Sequence, residues 1–180
     1  MQKYVSRRND VRLVNGVVHK TSATVAQEAA TLRMLHSADV LVPQVTAAQD
    51  NLLILEHLPG QPLPDVIEHG DYDPTQLAHA LYDWFARFDA ACPSLSRGDV
   101  NGRNFLYNGT QVFAVDFEEP LQPGSLACDC GHLAAFLATY DTPHPEKQAE
   151  LVHAFMQHSG YPVHAFLCEL VAMQARRNKN

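Results

Sequence analysis

No apolar run in this chain reaches membrane-spanning length, and its N-terminus lacks a signal-peptide pattern. The expected setting is cytoplasmic, with no membrane contact. Cysteine is sparse, with four in 180 residues. Cys128 and Cys130 are too close for an easy structural bridge, and Cys92 and Cys168 sit in apolar, helix-like surroundings, so reduced thiols are expected. Cys128-x-Cys130-x-His132 does not have the spacing of a zinc site. Positive charge is also short: 13 Lys and Arg face 20 Asp and Glu, for a net charge of −7. There is no long basic run, and the small cluster Arg176-Arg177-Asn178-Lys179 reads as a cationic helix end. A general role in nucleic-acid binding is not favoured on that account, and no nucleic-acid partner is expected. No glycine precedes Val11, so the N-terminal segment has no glycine-rich turn.

What is present is a globular composition, 46% apolar, sized for one compact domain or two small lobes sharing a cleft. Val11–Val14 and Val17–Lys20 flank Asn15-Gly16, the strongest short hairpin signal. Lys3–Ser6 reads as a shorter strand joined to them through Arg8-Asn9-Asp10. Residues 21–36 read as a helix; Thr24 and Gln27 suit a capping box, with Thr21 or Ser22 as alternative starts. Val25, Glu28, Leu32 and Leu35 share one stripe of that helix. Glu28 is the odd member, because a carboxylate on a core-facing stripe needs a partner, and Lys20 closes the adjacent strand.

Val40–Val45 reads as extended and Leu52–Leu55 as a buried strand; Pro59, Gly60, Pro62 and Pro64 then mark a boundary. Asp73-Pro74 starts a helix whose stripe is Leu77, Leu81, Trp84 and Phe88. Residues 126–140 are apolar nearly all round, which predicts a central helix. Residues 145–158 and 163–176 read as a helical hairpin about Gly160 and Pro162.

The densest chemistry lies at Arg97-Gly98-Asp99-Val100-Asn101-Gly102-Arg103-Asn104, with Asp116 twelve residues beyond Asn104. Gly98 and Gly102 are expected to take unusual backbone angles. Phe105–Tyr107, Asn108-Gly109 and Gln111–Val115 form a second hairpin, which folds Asp116 back beside Asn104. Two oxygen donors then converge, as a hard cation requires. An Asp five residues before an Asn, followed by a second Asp at a strand end, is the set that phosphoryl transfer from Mg-ATP uses.

Residues 97–106 resemble the His-Gly-Asp-Leu-x-x-x-Asn-Phe-Leu loop of aminoglycoside phosphotransferases and related small-molecule kinases. Val115-Asp116-Phe117-Glu118 resembles their metal motif, residues 28–35 the helix carrying their lysine-pairing Glu, and residues 53–63 their hinge. Cys128–Ala134 resembles the Asp-Leu-Ala helix start that follows the metal motif. The resemblance implies an α+β, protein-kinase-like two-lobe fold, with a small antiparallel-sheet lobe over residues 1–58 and a mainly helical lobe over 59–180, together one domain. It implies ATP and Mg2+ as cofactors, a small-molecule hydroxyl as acceptor, and Asp99 as the base. Asn104 and Asp116 would be the metal ligands. Lys20 would contact phosphate, Glu28 would orient it, and the backbone at Glu56, His57 and Leu58 would face adenine. Asp129 either braces the catalytic loop, as the resemblance implies, or merely caps its helix.

Three departures qualify the likeness. Arg97 stands where the family has His, which alters the support of the loop rather than its chemistry. No glycine-rich phosphate loop precedes Val11, and the chain is short for the acceptor-binding insertions of the family. Two other classes therefore stand beside the enzyme. One is a pseudokinase serving as a nucleotide-binding interaction module. The other is a compact atypical protein kinase of the Bud32 and RIO kind, acting with a macromolecular partner. Gly98 before Asp99, and Asp-Phe-Glu rather than Asp-Phe-Gly, favour the small-molecule branch.

Overall fold

The computed structural model describes residues 2–4, 9–160, 162, 166, 167, 170 and 171. Strands β1 (Gln2–Tyr4), β2 (Asp10–Val14), β3 (Val17–Thr21), β4 (Val45–Gln49) and β5 (Leu52–Glu56) form an antiparallel sheet in the order β1-β2-β3-β5-β4. Asn15 and Gly16 both take positive φ, 51° and 84°, as the tight hairpin between β2 and β3 requires. That turn fixes a register in which Lys20 faces Val11 on one side and Leu53 on the other. Side chains alternate along a strand, so Lys20 shares its face with Val18, which packs against the core. Helix α1 (Val25–Ser37) lies against β4 and β5, with Val25, Glu28, Leu32 and Leu35 all buried.

The remainder is mainly helical. Short strand β6 (Gln61–Pro62) leads into α2 (Leu63–His69) and α3 (Pro74–Ala91). Asp73 caps α3 by accepting from the Gln76 amide at 2.8 Å. Strand β7 (Leu95–Ser96) precedes a 3-10 turn at Gly102–Asn104, then β8 (Phe105–Tyr107), β9 (Val112–Ala114) and β10 (Gln122–Pro123). Helices α4 (Leu126–Thr139) and α5 (Pro145–Ser159) follow. Strands β6, β8 and β9 make one small sheet, and β7 pairs with β10. Trp84, Phe85, Phe88, Phe105, Phe117 and Phe155 are almost wholly buried and form the aromatic centre of this half. The architecture is the two-lobe α+β arrangement expected.

Between the halves, residues 40–44 run extended, with Val40 and Val42 buried. The Leu41 carbonyl accepts from Trp84 Nε1 of α3 and from the Ala114 amide of β9, both at 3.0 Å. One carbonyl thus joins the segment after α1 to two elements of the helical half.

Several details differ from expectation. Strand β4 starts where the extended segment was expected to end, because Thr46–Gln49 acquires strand geometry only by pairing with β5. The proline-rich boundary contains β6 and α2, with Pro64 in the first turn of α2, where its missing amide costs nothing. Thr24 makes no capping bond. Ser22 Oγ accepts from the Thr24 amide instead, and Gln27 Nε2 donates to the Glu118 carbonyl. The loop at Asn108-Gly109 has four residues, since Tyr107 pairs with Val112, and Asn108 Oδ1 accepts from Thr110 and Gln111 amides. Among the described residues Cys92 and Cys130 are free thiols. Residues 5–8, and most of the expected helix at 163–176, lie outside the described residues.

Gly60 makes a close approach to β8. Its φ is +117°, and a Cβ there would lie 2.8 Å from the Tyr107 backbone carbon and oxygen. Gly60→Ala is expected to cost about 2 kcal/mol or more, combining backbone strain with a clash against β8. Gly16→Ala has open space around its Cβ and should cost less. Urea denaturation of both variants checks the order.

Candidate active site

Lys20 Nζ lies 2.9 Å from Glu28 Oε1 and 2.7 Å from Asp116 Oδ1. Residues from β3, α1 and the end of the second hairpin, 96 positions apart at the extreme, meet at one ammonium. Lys20 is 5% exposed and Glu28 fully buried, while the Asp116 side chain is 44% exposed. Burial acts to lower the Lys20 pKa, but Glu28 and Asp116 together outweigh it and hold it above the usual value. Burial pushes the Glu28 carboxyl up, against the opposing pull of Lys20. Glu28 Oε1 also accepts from the Phe117 amide at 3.2 Å, so the same oxygen serves both the lysine and the metal-motif backbone.

The loop at 97–104 is held from beneath. Asp129 in the first turn of α4 accepts from the Arg97 amide at 2.9 Å and from Ser96 Oγ through a short bond. Ser96 Oγ in turn accepts from the Gly98 amide at 3.1 Å. The helix cap itself is Ser125, which accepts from the Cys128 amide. Of the two alternatives for Asp129, bracing the loop is therefore what its carboxylate does. Gly98 takes φ +83°, as expected. Gly102 does not need an unusual angle; it is required because a Cβ there would fall 2.2 Å from the Phe136 ring.

This support leaves Asp99 exposed at the surface, with its Oδ2 accepting from Asn104 Nδ2 at 3.0 Å. The Asn104 carbonyl accepts from the Val115 amide at 2.9 Å, so the second hairpin does return Asp116 beside the loop. Arg97 is 2% exposed, and its Nη2 donates to the carbonyls of Val115 and Asp116, the latter at 3.1 Å. Its guanidinium packs over the rings of Phe105 and Phe117, 5.0 and 4.6 Å from their centroids. Burial lowers its pKa to about 10, with Asp99, Asp116, Asp129 and Glu28 pulling the other way, so it stays charged at neutral pH.

Of the remaining candidates, Glu56 ends β5, with its amide bonded to the Gln44 carbonyl and its carboxylate accepting from the Gln44 amide. His57 is exposed and Leu58 buried. The sequence offers Ser22 only as a helix start and Glu118 only as part of a motif, and it does not mark Ser96 at all. Ser22 Oγ donates to Glu118 Oε1 at 2.8 Å, which ties the turn before α1 to the metal motif, and Ser96 bridges Asp129 and Gly98. Nothing in the local pattern distinguishes Ser96 from a surface residue. Cys128 Sγ sits 3.9 Å from His132 Nδ1, whereas Cys130 is buried with its thiol pushed up to about 12; no metal-holding group of these types occurs among the described residues.

Asp129 makes a pH prediction. Burial raises its carboxyl pKa above the ordinary value, against the pull of the Ser96 and Arg97 bonds. The native state then binds this proton more tightly than the unfolded chain, so the contribution favours folding below about pH 4 and is lost as pH rises through the raised value. Asp129→Asn should show a flatter stability–pH profile than wild type above about pH 4. Asp129→Ala orphans two buried donors and should cost about 2–4 kcal/mol. Urea denaturation from pH 4 to 8 measures both.

The same arrangement of elements occurs in solved structures of low sequence identity. The ADP-bound aminoglycoside phosphotransferase APH(2'')-Ib superposes with a TM-score of 0.67 at 13% identity, covering 93% of this chain and 80% of that one. The streptomycin–ATP–APH(2")-IIa ternary complex gives 0.65 at 14%, covering 93% and 82%. A choline/ethanolamine kinase family protein from Mesorhizobium loti gives 0.60 at 15%, covering 87% and 69%. At such identities the likeness is one of fold, and the fold is kinase-like. No curated protein sequence matches. The sequence does match the RIO domain over residues 1–154, a span that holds every residue of the site described above, and the chain belongs to the RIO domain family.

Proposed function

We propose that this protein is an ATP- and Mg2+-dependent phosphotransferase acting on a hydroxyl group. The observation that carries the reading is the pair of hydrogen bonds from Lys20 Nζ to Glu28 and Asp116, with Asp99 and Asn104 paired beside them. Residues 1–58 would form the nucleotide-holding lobe and residues 59–180 the lobe carrying the loop.

The donor chemistry fits a divalent cation. Glu28, Asp99, Asp116 and Asp129 stand against Lys20 and Arg97, which leaves an excess of negative charge. Asp116 offers an exposed carboxylate and Asn104 an amide oxygen, both hard donors suited to Mg2+. Bound Mg-ATP would supply the phosphoryl group and an electrophilic phosphorus. Asp99 would orient the acceptor hydroxyl and take its proton, with Asn104 Nδ2 fixing one carboxylate oxygen and leaving Oδ1 for that task. Lys20 would contact phosphate, oriented by Glu28. The backbone at Glu56, His57 and Leu58 would hold the adenine edge.

Gly98 before Asp99 and Glu118 after Phe117 favour a small-molecule acceptor. The aminoglycoside and choline/ethanolamine kinase relatives in fold support the same branch. A second reading, a macromolecular acceptor, is favoured by the RIO domain match. Radiolabelled ATP separates them: transfer to added amino alcohols and sugars supports the first, and transfer to protein hydroxyls the second.

Two substitutions test the chemistry. Asp99→Asn should bind Mg-ATP as wild type does, while phosphoryl transfer, or slow hydrolysis to water, falls by about a hundredfold or more. Equal rates would remove Asp99 from the role of base. Asp116→Ala should lose magnesium-dependent ATP binding in calorimetry, because a methyl group cannot replace the ligand charge. Without a glycine-rich loop, wild-type affinity is expected in roughly the micromolar-to-millimolar range.

A further inference from the structure

Arg97 presents an anomaly. Its guanidinium is buried, yet no carboxylate forms an ion pair with it, and Nε and Nη1 have no hydrogen-bond partner among the described residues. Burying a cation in this way costs stability, and an apolar side chain of similar length between Phe105 and Phe117 would fill the same space without that cost. What an apolar side chain could not do is donate to the carbonyls of Val115 and Asp116. Those carbonyls flank a backbone that needs holding, since Asp116 is a non-glycine residue at φ +65°, a conformation that persists only where surrounding contacts impose it. The opposite side of this segment is held by Glu28 on the Phe117 amide and by Ser22 on Glu118.

We propose that Arg97 is a positioning residue that locks the left-handed backbone at Asp116, and thereby sets the affinity of the Asp116 carboxylate for a divalent cation without touching the cation or the nucleotide. The proposal rests on the reading of Asp116 as a metal ligand. It assigns a task to the one loop position where the chain departs from the histidine of the resembling family. Supports of this outer kind change metal affinity by about 10- to 100-fold when removed.

The test uses the full chain with Arg97→Met and Arg97→Lys. Three quantities are measured: ligand-free thermal unfolding, Mg2+ affinity by titration in the presence of ADP, and amide hydrogen exchange at Phe117. Arg97→Met is expected to unfold at or above the wild-type temperature, yet to bind Mg2+ about 10- to 100-fold more weakly and to exchange the Phe117 amide faster. A merely structural arginine would instead lower the melting temperature. Wild-type metal affinity and wild-type Phe117 protection in Arg97→Met would overturn the proposal. If Arg97→Met does not fold, Arg97→Lys decides. It keeps the charge but loses the planar fork that reaches two carbonyls, so Mg2+ affinity about 10-fold below wild type supports the proposal and unchanged affinity overturns it. Should wild type itself show no Mg2+-dependent ADP binding, the phosphotransferase reading fails. Faster Phe117 exchange at unchanged melting temperature then still supports the positioning role, and unchanged exchange removes it.

Discussion

A single ammonium group carries the geometry of this protein's site. Lys20 joins β3 to α1 through Glu28 and joins both to the metal motif through Asp116. Glu28 is fully buried, and without Lys20 its charge would keep only the Phe117 amide and the more distant Arg97 as compensation. Lys20 in turn reaches that position only because the hairpin register places it on the core face of the sheet. A slip of one residue would put His19 there and turn Lys20 to the other face. The two-residue turn at Asn15-Gly16, with both residues at positive φ, is what excludes that slip.

A second layer of buried polar contacts holds the loop opposite. Asp129, Ser96 and Gly98 form a chain of bonds beneath Asp99, and Arg97 carries the connection to the strand end at Asp116. Each of these groups is expensive to bury, and each is engaged with backbone rather than with solvent. The candidate site carboxylates, Asp99 and Asp116, are the exposed members. Rigid support below and accessible oxygen above is the arrangement a preorganised site requires.

The two halves of the chain are also stitched together away from the site. The Leu41 carbonyl receives bonds from α3 and β9. Ser22 and Glu118 make a further tie next to the metal motif.

Local sequence was sufficient for elements whose signals are local. Both Asn-Gly hairpins, the Asp73-Pro74 helix start, and the stripe Val25, Glu28, Leu32 and Leu35 follow from turn chemistry and periodicity. So did the proximity of Asp99, Asn104 and Asp116, because fixed spacing around a hairpin constrains where the chain returns. Tertiary structure decided the rest. Strand β4 exists because β5 offers it an edge, and Gly102 is small because Phe136 lies over it. The partners of Ser22, Ser96 and Arg97 come from elements remote in sequence or from backbone carbonyls that carry no side-chain signal. Hydrogen bonds to backbone depend on where the chain is folded, not on which residue it carries, and that is why the sequence alone could name the carboxylates of the site but not what holds them in place.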